Sequence, residues 1–122
     1  LGSEALVQLL PRIVSGSLQP TPQDESTASY CQLLTKASGI IDPTQHTAAA
    51  AEAMVRAYHH HPRARLQLGE RQYIITQAHT ALAPVTTLDP RCSDDTYLVI
   101  DQLIAPSGKE LSAAAFLRGY RV

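Results

Sequence analysis

The side chains able to do chemistry in this chain are few and scattered. Asp24 and Glu25 are adjacent carboxylates, followed by the hydroxyls of Ser26 and Thr27. An acid/base pair would need both carboxylates on one substrate, yet neighbours in an extended segment point to opposite sides. The segment reads as a turn or helix cap. Ser26 has neither a nearby His in sequence nor the glycines of a nucleophile elbow. His59, His60 and His61 form an unbroken run. Metal binding, a helix-end cap and phosphate contact are all open to such a run. Successive side chains fan out by about 100° in a helix and alternate in a strand, so three in a row converge poorly on one ion. Cys31 and Cys92 lie far apart and lack metal-ligand spacing, which reads as a reduced pair. Arg63 and Arg65, two residues apart, have the spacing to meet successive phosphates from one face of a strand.

The elements that must position these residues follow from periodicity. Ala5, Leu6, Leu9, Leu10, Ile13 and Val14 recur at helical spacing, with Ser3 as N-cap, Pro11 as a kink or a lost hydrogen bond, and Gly16 as the stop. Residues 20–41 are linker-like, entered through Pro20 and Pro22, with a short strand expected near 29–33. A second helix is expected over 42–58, with Asp42 as cap, Pro43 at its first position, and Ala50, Met54, Ala57 and Tyr58 along one face. Residues 63–78 alternate as a β-hairpin about a type II′ turn at Gly69-Glu70. That turn pairs Leu66 with Tyr73, Ala64 with Ile75, Arg65 with Ile74 and Arg63 with Thr76. It leaves Ala64, Leu66, Leu68, Tyr73 and Ile75 on an apolar face, and Arg63, Arg65, Gln67, Gln72 and Thr76 on a polar one. Residues 79–95 are irregular, with a short strand expected at 85–88. Residues 96–105 are a strongly apolar strand. A turn at Ser107-Gly108-Lys109 leads to a short final helix capped by Ser112, with Leu111 and Phe116 as a hydrophobic staple and Gly119 as its end.

At 122 residues the chain is one domain with a segment borrowed from a neighbour, and it begins without Met. Apolar residues make up 44% of it, enough for a core. Aromatic residues are only 5%, so that core rests on Leu, Ile, Val and Ala. No apolar run reaches the length of a membrane-spanning helix, and no signal peptide opens the chain, as in a cytoplasmic protein. The net charge of −1 argues against a strong, general nucleic-acid binder.

Two motifs carry a resemblance. Near the start stand Pro22-Gln23-Asp24-Glu25-Ser26 with Ala28 and Tyr30, then Lys36-x-x-Gly39-x-Ile41-Asp42. Near the end stand Gly108-Lys109, Ser112-Ala113-Ala114 and Phe116-Leu117-Arg118-Gly119. Together these resemble the C-terminal domain of the methionyl-tRNA formyltransferases, and Leu1 to Gly16 resembles the last helix of that family's catalytic domain. The middle departs from the family. His59-His60-His61-Pro62-Arg63 replaces its Asn-Pro-Trp-Pro-Gly-like turn, and residues 79–95 are shorter than its strands there.

The resemblance implies a mainly β fold with flanking helices: a small, partly open OB-like β-barrel preceded by a helix from the missing catalytic domain. It implies boundaries at 1–19 for that terminal helix, 20–41 for the linker and 42–122 for the barrel. It implies a role in translation initiation, holding initiator tRNA by its backbone, weakly and without sequence preference. An absent N-terminal domain would use 10-formyltetrahydrofolate to formylate the bound Met. No catalytic residue, metal or cofactor is expected in this chain itself. The cations expected to meet RNA are Lys36, Arg56, Arg63 and Arg65 on one side, with Lys109, Arg118 and Arg121 as a second patch. The apolar face of the first helix needs a cover, from the missing domain, the barrel or self-association. The alternative is a structural module of another formyltransferase, such as one acting on nucleotide-linked amino sugars.

Overall fold

The computed structural model describes residues 1–122, which fall into two compact units, Leu1–Gln32 and Leu33–Val122. The first holds helix α1 (Gly2–Val14). It begins at Gly2 with Leu1 at the cap and no side-chain cap bond, so the expected Ser3 cap is corrected: Ser3 lies inside the first turn. Pro11 is accommodated within the helix, where it removes the N–H that the Val7 carbonyl would meet. The helix ends in a Schellman arrangement. Ser17 N–H donates to the Arg12 carbonyl at 3.0 Å and Gly16 N–H to that of Ile13 at 3.1 Å, with Gly16 at φ +68°. Further on, Asp24 caps a one-turn 3-10 helix, Glu25–Thr27, by accepting from the Ser26 N–H and hydroxyl at 3.0 and 2.6 Å. The Asp24 carboxyl therefore sits below its ordinary pKa. The expected strand at 29–33 does not form. Those residues are exposed and carry no regular structure.

The second unit is an open, five-stranded mixed sheet in chain order: β1 (Ile40–Ile41), β2 (Arg65–Leu68), β3 (Arg71–Ala81), β4 (Tyr97–Ile104) and β5 (Glu110–Ser112). β1 runs parallel to β2; the remaining pairs are antiparallel. The hairpin register is as the sequence implies, Leu66 opposite Tyr73 and Arg65 opposite Ile74. Gly69 takes φ +59°, as the first position of a type II′ turn requires. One expected pair is corrected. Arg63 adopts a left-handed backbone at φ +68°, so β2 starts only at Arg65 and Arg63 does not face Thr76. The β3–β4 pairing carries irregularities around Gln77.

Two helices cover the core face. α2 spans Ala48–Ala57 and is capped by Thr47, whose hydroxyl accepts from Ala50 N–H at 3.1 Å. The expected start at Asp42 is corrected because Asp42 is spent on a turn of its own. Its carboxylate takes the N–H and hydroxyl of Thr44, and its carbonyl takes the N–H groups of Gln45 and His46. The buried face of α2 is Ala48, Ala51 and Val55 with Met54 partly buried; Ala50 and Ala57 face solvent. α3 (Ala113–Gly119) is capped by Ser112 as expected. Its Phe116 is fully buried, edge-on to Tyr73 and stacked with Tyr120. Ile41, Leu66, Leu88, Leu98, Ile100 and Leu103 supply most of the remaining bulk.

The expected strand at 85–88 is corrected as well. Asp89, the one buried charged residue, accepts from Val85 N–H at 2.9 Å and from Thr86 N–H at 2.6 Å. Those groups are thereby removed from any ladder. Its other oxygen accepts from Ile100 N–H at 2.9 Å, tying the loop to β4. No helix of the chain is long and apolar enough to cross a membrane.

Candidate nucleic-acid interface

The Lys36-x-x-Gly39-x-Ile41-Asp42 motif has a structural explanation. Lys36 opens a one-turn 3-10 helix, Lys36–Gly39, entered from Thr35. Gly39 is buried against the backbone of Arg63, whose carbonyl fills the space a β-carbon would need. Ile41 is 2% exposed and anchors β1 in the core. Asp42 closes the following turn, and its hydrogen bonds from Thr44 hold the carboxyl below its ordinary pKa. This packing brings Lys36 to the side of β2. A shallow hollow there is lined by Lys36, Ala37, Ile40, Arg65 and Gln72.

The seven cations expected to meet RNA are not all gathered. Lys36 and Arg65 share that hollow. Arg65 is half-buried and donates from Nη1 to the Pro62 carbonyl at 3.0 Å, which anchors its guanidinium. Arg63 is exposed in the turn just before β2, close in sequence but off the strand face. Arg56 lies in the last turn of α2 with its Nε 2.6 Å from Glu52 Oε1. That hydrogen bond and the charge of Glu52 raise its pKa and occupy its inner edge. Lys109 sits in the turn before β5, and Arg118 is exposed in the last turn of α3. Arg121 lines a larger hollow with Leu68, Gly69, Glu70, Tyr73 and Tyr120. Arg71, which sequence reasoning left out, lines that same hollow. Its position, first in the strand after the Gly69-Glu70 turn, was the available signal.

Charge is distributed unevenly. Residues 33–122 hold nine Lys and Arg against eight Asp and Glu, so the acidic balance of the whole chain comes from residues 1–32. Within the second unit Asp89 is buried, and Glu52 and Asp95 are paired with Arg56 and Arg91. The histidine run forms a turn after α2 in which the His59 and His60 rings meet edge-on at 4.9 Å. No group of three or more His, Cys, Asp or Glu side chains is arranged to hold a metal ion. An exposed pair absent from the sequence reading, His79 and Asp101, joins β3 to β4 at 2.8 Å.

Fold and surface together define an open mixed-sheet domain, mainly β with flanking helices, that carries cations beside its first strands. No family model matches the chain. Individual proteins do. It is 31% identical over 139 aligned residues to the methionyl-tRNA formyltransferase of Nitratidesulfovibrio vulgaris, covering 98% of this chain and 41% of that protein. It is 32% identical to that of Halorhodospira halophila, over 100% of this chain and 43% of the relative. It is 35% identical to that of Rubrobacter xylanophilus, over 98% and 43%. By sequence the chain is a relative of the methionyl-tRNA formyltransferases, as its two end motifs implied, and it spans about two fifths of their length. Among solved structures, a variant of HypX from Aquifex aeolicus matches 95% of this chain and 24% of its own with a TM-score of 0.53. At 16% identity that likeness concerns the fold alone.

Proposed function

We propose that this chain is the tRNA-contacting C-terminal domain of a methionyl-tRNA formyltransferase acting in translation initiation. It holds initiator tRNA by its sugar–phosphate backbone while a separate catalytic domain, supplied with 10-formyltetrahydrofolate, formylates the attached Met. In this reading residues 1–19 are the last helix of that catalytic domain and 20–41 the link to it. The observation that carries it is the hollow pairing Lys36 with Arg65, built by the motif that resembles that family's C-terminal domain. Sequence similarity over nearly the whole chain supports the same reading, and the amino-sugar alternative is not favoured.

A nearly neutral domain binds RNA only where its cations cluster. Each phosphate it neutralises contributes roughly −0.7 to −0.9 to the slope of log affinity against log salt. The test is tRNA binding by the purified chain across a salt series, for the native protein and for Arg63→Ala with Arg65→Ala. The expected result is weak, sequence-independent binding whose slope flattens by about one to two in the double variant. A salt-independent affinity, or an unchanged slope, would remove this surface from the reading. The isolated chain is expected to show no formyl transfer, and turnover free of full-length enzyme would overturn that expectation.

A further inference from the structure

One line of residues crosses all five strands. Ile40 pairs with Arg65, Arg65 with Ile74, Ile74 with Ile104, and Ile104 with Glu110. The chain neighbours of this row, Ile41, Leu66, Tyr73, Ile75 and Leu103, are buried. Strand alternation therefore sets the row on the opposite, outer face of the sheet. Ile40 is 41% exposed, and Arg65, Ile74 and Ile104 are half-exposed. Glutamines flank the row. Gln67 pairs with Gln72 on one side, and Gln77 with Gln102 on the other. Gln72 sits between two hollows, one holding Lys36 and Arg65, the other Arg71, Ile74 and Ile104. The row and its glutamine flanks contain no aromatic ring, and their one carboxylate, Glu110, lies at the far edge strand.

We propose that this outer face lies against the minor groove of an RNA duplex and recognises its ribose 2′-hydroxyls. The proposal rests on the tRNA reading above and names what that surface touches. Without aromatic rings the face has no platform for stacking unpaired bases. The minor groove of A-form RNA is wide and shallow and displays 2′-hydroxyls, which both donate and accept. A glutamine amide also donates and accepts, so the exposed Gln72 and Gln77 match that group in kind. The isoleucines give the ribose carbons an apolar surface. Lys36, Arg65 and Arg71 bring positive charge to one side of the face, in keeping with the phosphates that border such a groove.

The test compares binding of the chain to an RNA duplex of about 16 base pairs, the length a double-stranded-RNA-binding domain spans, and to a DNA duplex of the same sequence at one salt concentration. The expected result is about tenfold tighter binding to RNA, the worth of one or two net hydrogen bonds. Changing Gln72 and Gln77 together to Ala should abolish this preference and leave the salt slope in place. Both residues are exposed, and circular dichroism checks that the variant stays folded. Changing Arg63 and Arg65 should do the reverse, flattening the slope while keeping the preference. Equal native affinity for RNA and DNA, or a preference that survives the glutamine changes, overturns the inference and leaves a phosphate-only tRNA surface standing. Binding to neither duplex and to no tRNA overturns both readings and leaves the face to a protein partner.

Discussion

The carbonyl of Arg63 occupies the space that a β-carbon on Gly39 would require. The clash is with backbone on one side and the Pro62 ring on the other, so no flexible side chain can swing away. Gly39→Ala therefore pushes β1 from β2 or moves Arg63. The expected loss is about 1–3 kcal/mol, typical of overpacking at a tight site. Urea unfolding measures it, and a variant as stable as the native chain would show that β1 can shift freely.

Asp89 holds a loop to the core by accepting from three backbone N–H groups and the Thr86 hydroxyl. Asp89→Ala leaves those donors without their acceptor. A loss of about 3 kcal/mol is expected, since bonds to charged groups are worth more than neutral ones and buried donors left unmet are costly. Hydrogen exchange at the Ile100 amide should quicken in the variant. Unchanged exchange there would contradict the anchoring role.

The two thiols should differ sharply. Cys31 is exposed, whereas Cys92 is 4% exposed and burial pushes its thiol pKa up. A thiol-directed reagent at neutral pH should modify Cys31 quickly and Cys92 only after unfolding, because the thiolate is the reactive form. Mass spectrometry of partly labelled chain reads this directly, and equal labelling would mean that the segment holding Cys92 opens readily.

Acid should loosen the start of α2. The Thr96 hydroxyl, joined by the backbone N–H groups of Ala48 and Thr96, holds Asp94 below its ordinary pKa against a smaller opposing effect of burial. A depressed native pKa means that the folded chain binds fewer protons than the unfolded one. This contribution is therefore fully present above the ordinary Asp value, about 3.9, and is lost as pH falls through the native value. Asp42 acts in the same direction. Stability should be insensitive to these groups near neutral pH and fall below about pH 4. Asp94→Asn should lower neutral stability and weaken the acid dependence; an unaltered acid limb would exclude Asp94 as a source.

Elements with strong local signals were legible in the sequence. The Gly69-Glu70 turn fixed the hairpin register, the run from Thr96 gave β4, and Ser112 capped α3. What escaped lacked such signals. β1 has two residues and β5 three, too few for any periodicity. Asp42 has the right chemistry for a helix cap, yet it satisfies Thr44 and the helix waits for Thr47. Val85–Leu88 has strand-forming residues, but the Asp89 carboxylate takes the amides a ladder would need. At the candidate interface, composition identified the cations but not their grouping. Lys36 reaches Arg65 through a parallel strand contact, and Arg71 joins Arg121 where the hairpin turn nears the C-terminal tail.

A sheet that does not close keeps two open sides, and unpaired strands invite other chains to add on. Here each outermost strand is a stub, β1 of two residues and β5 of three. The long strand β4 outruns β5, yet that stretch is also occupied: Leu98 N–H donates to the Pro90 carbonyl and Ile100 N–H to the Asp89 carboxylate. Along these stretches an incoming chain finds few backbone groups left to bond. Short outer strands and this filled stretch of β4 work against edge-to-edge pairing without the full closure of a barrel, and loosening the Asp89 loop would expose the Ile100 amide to it.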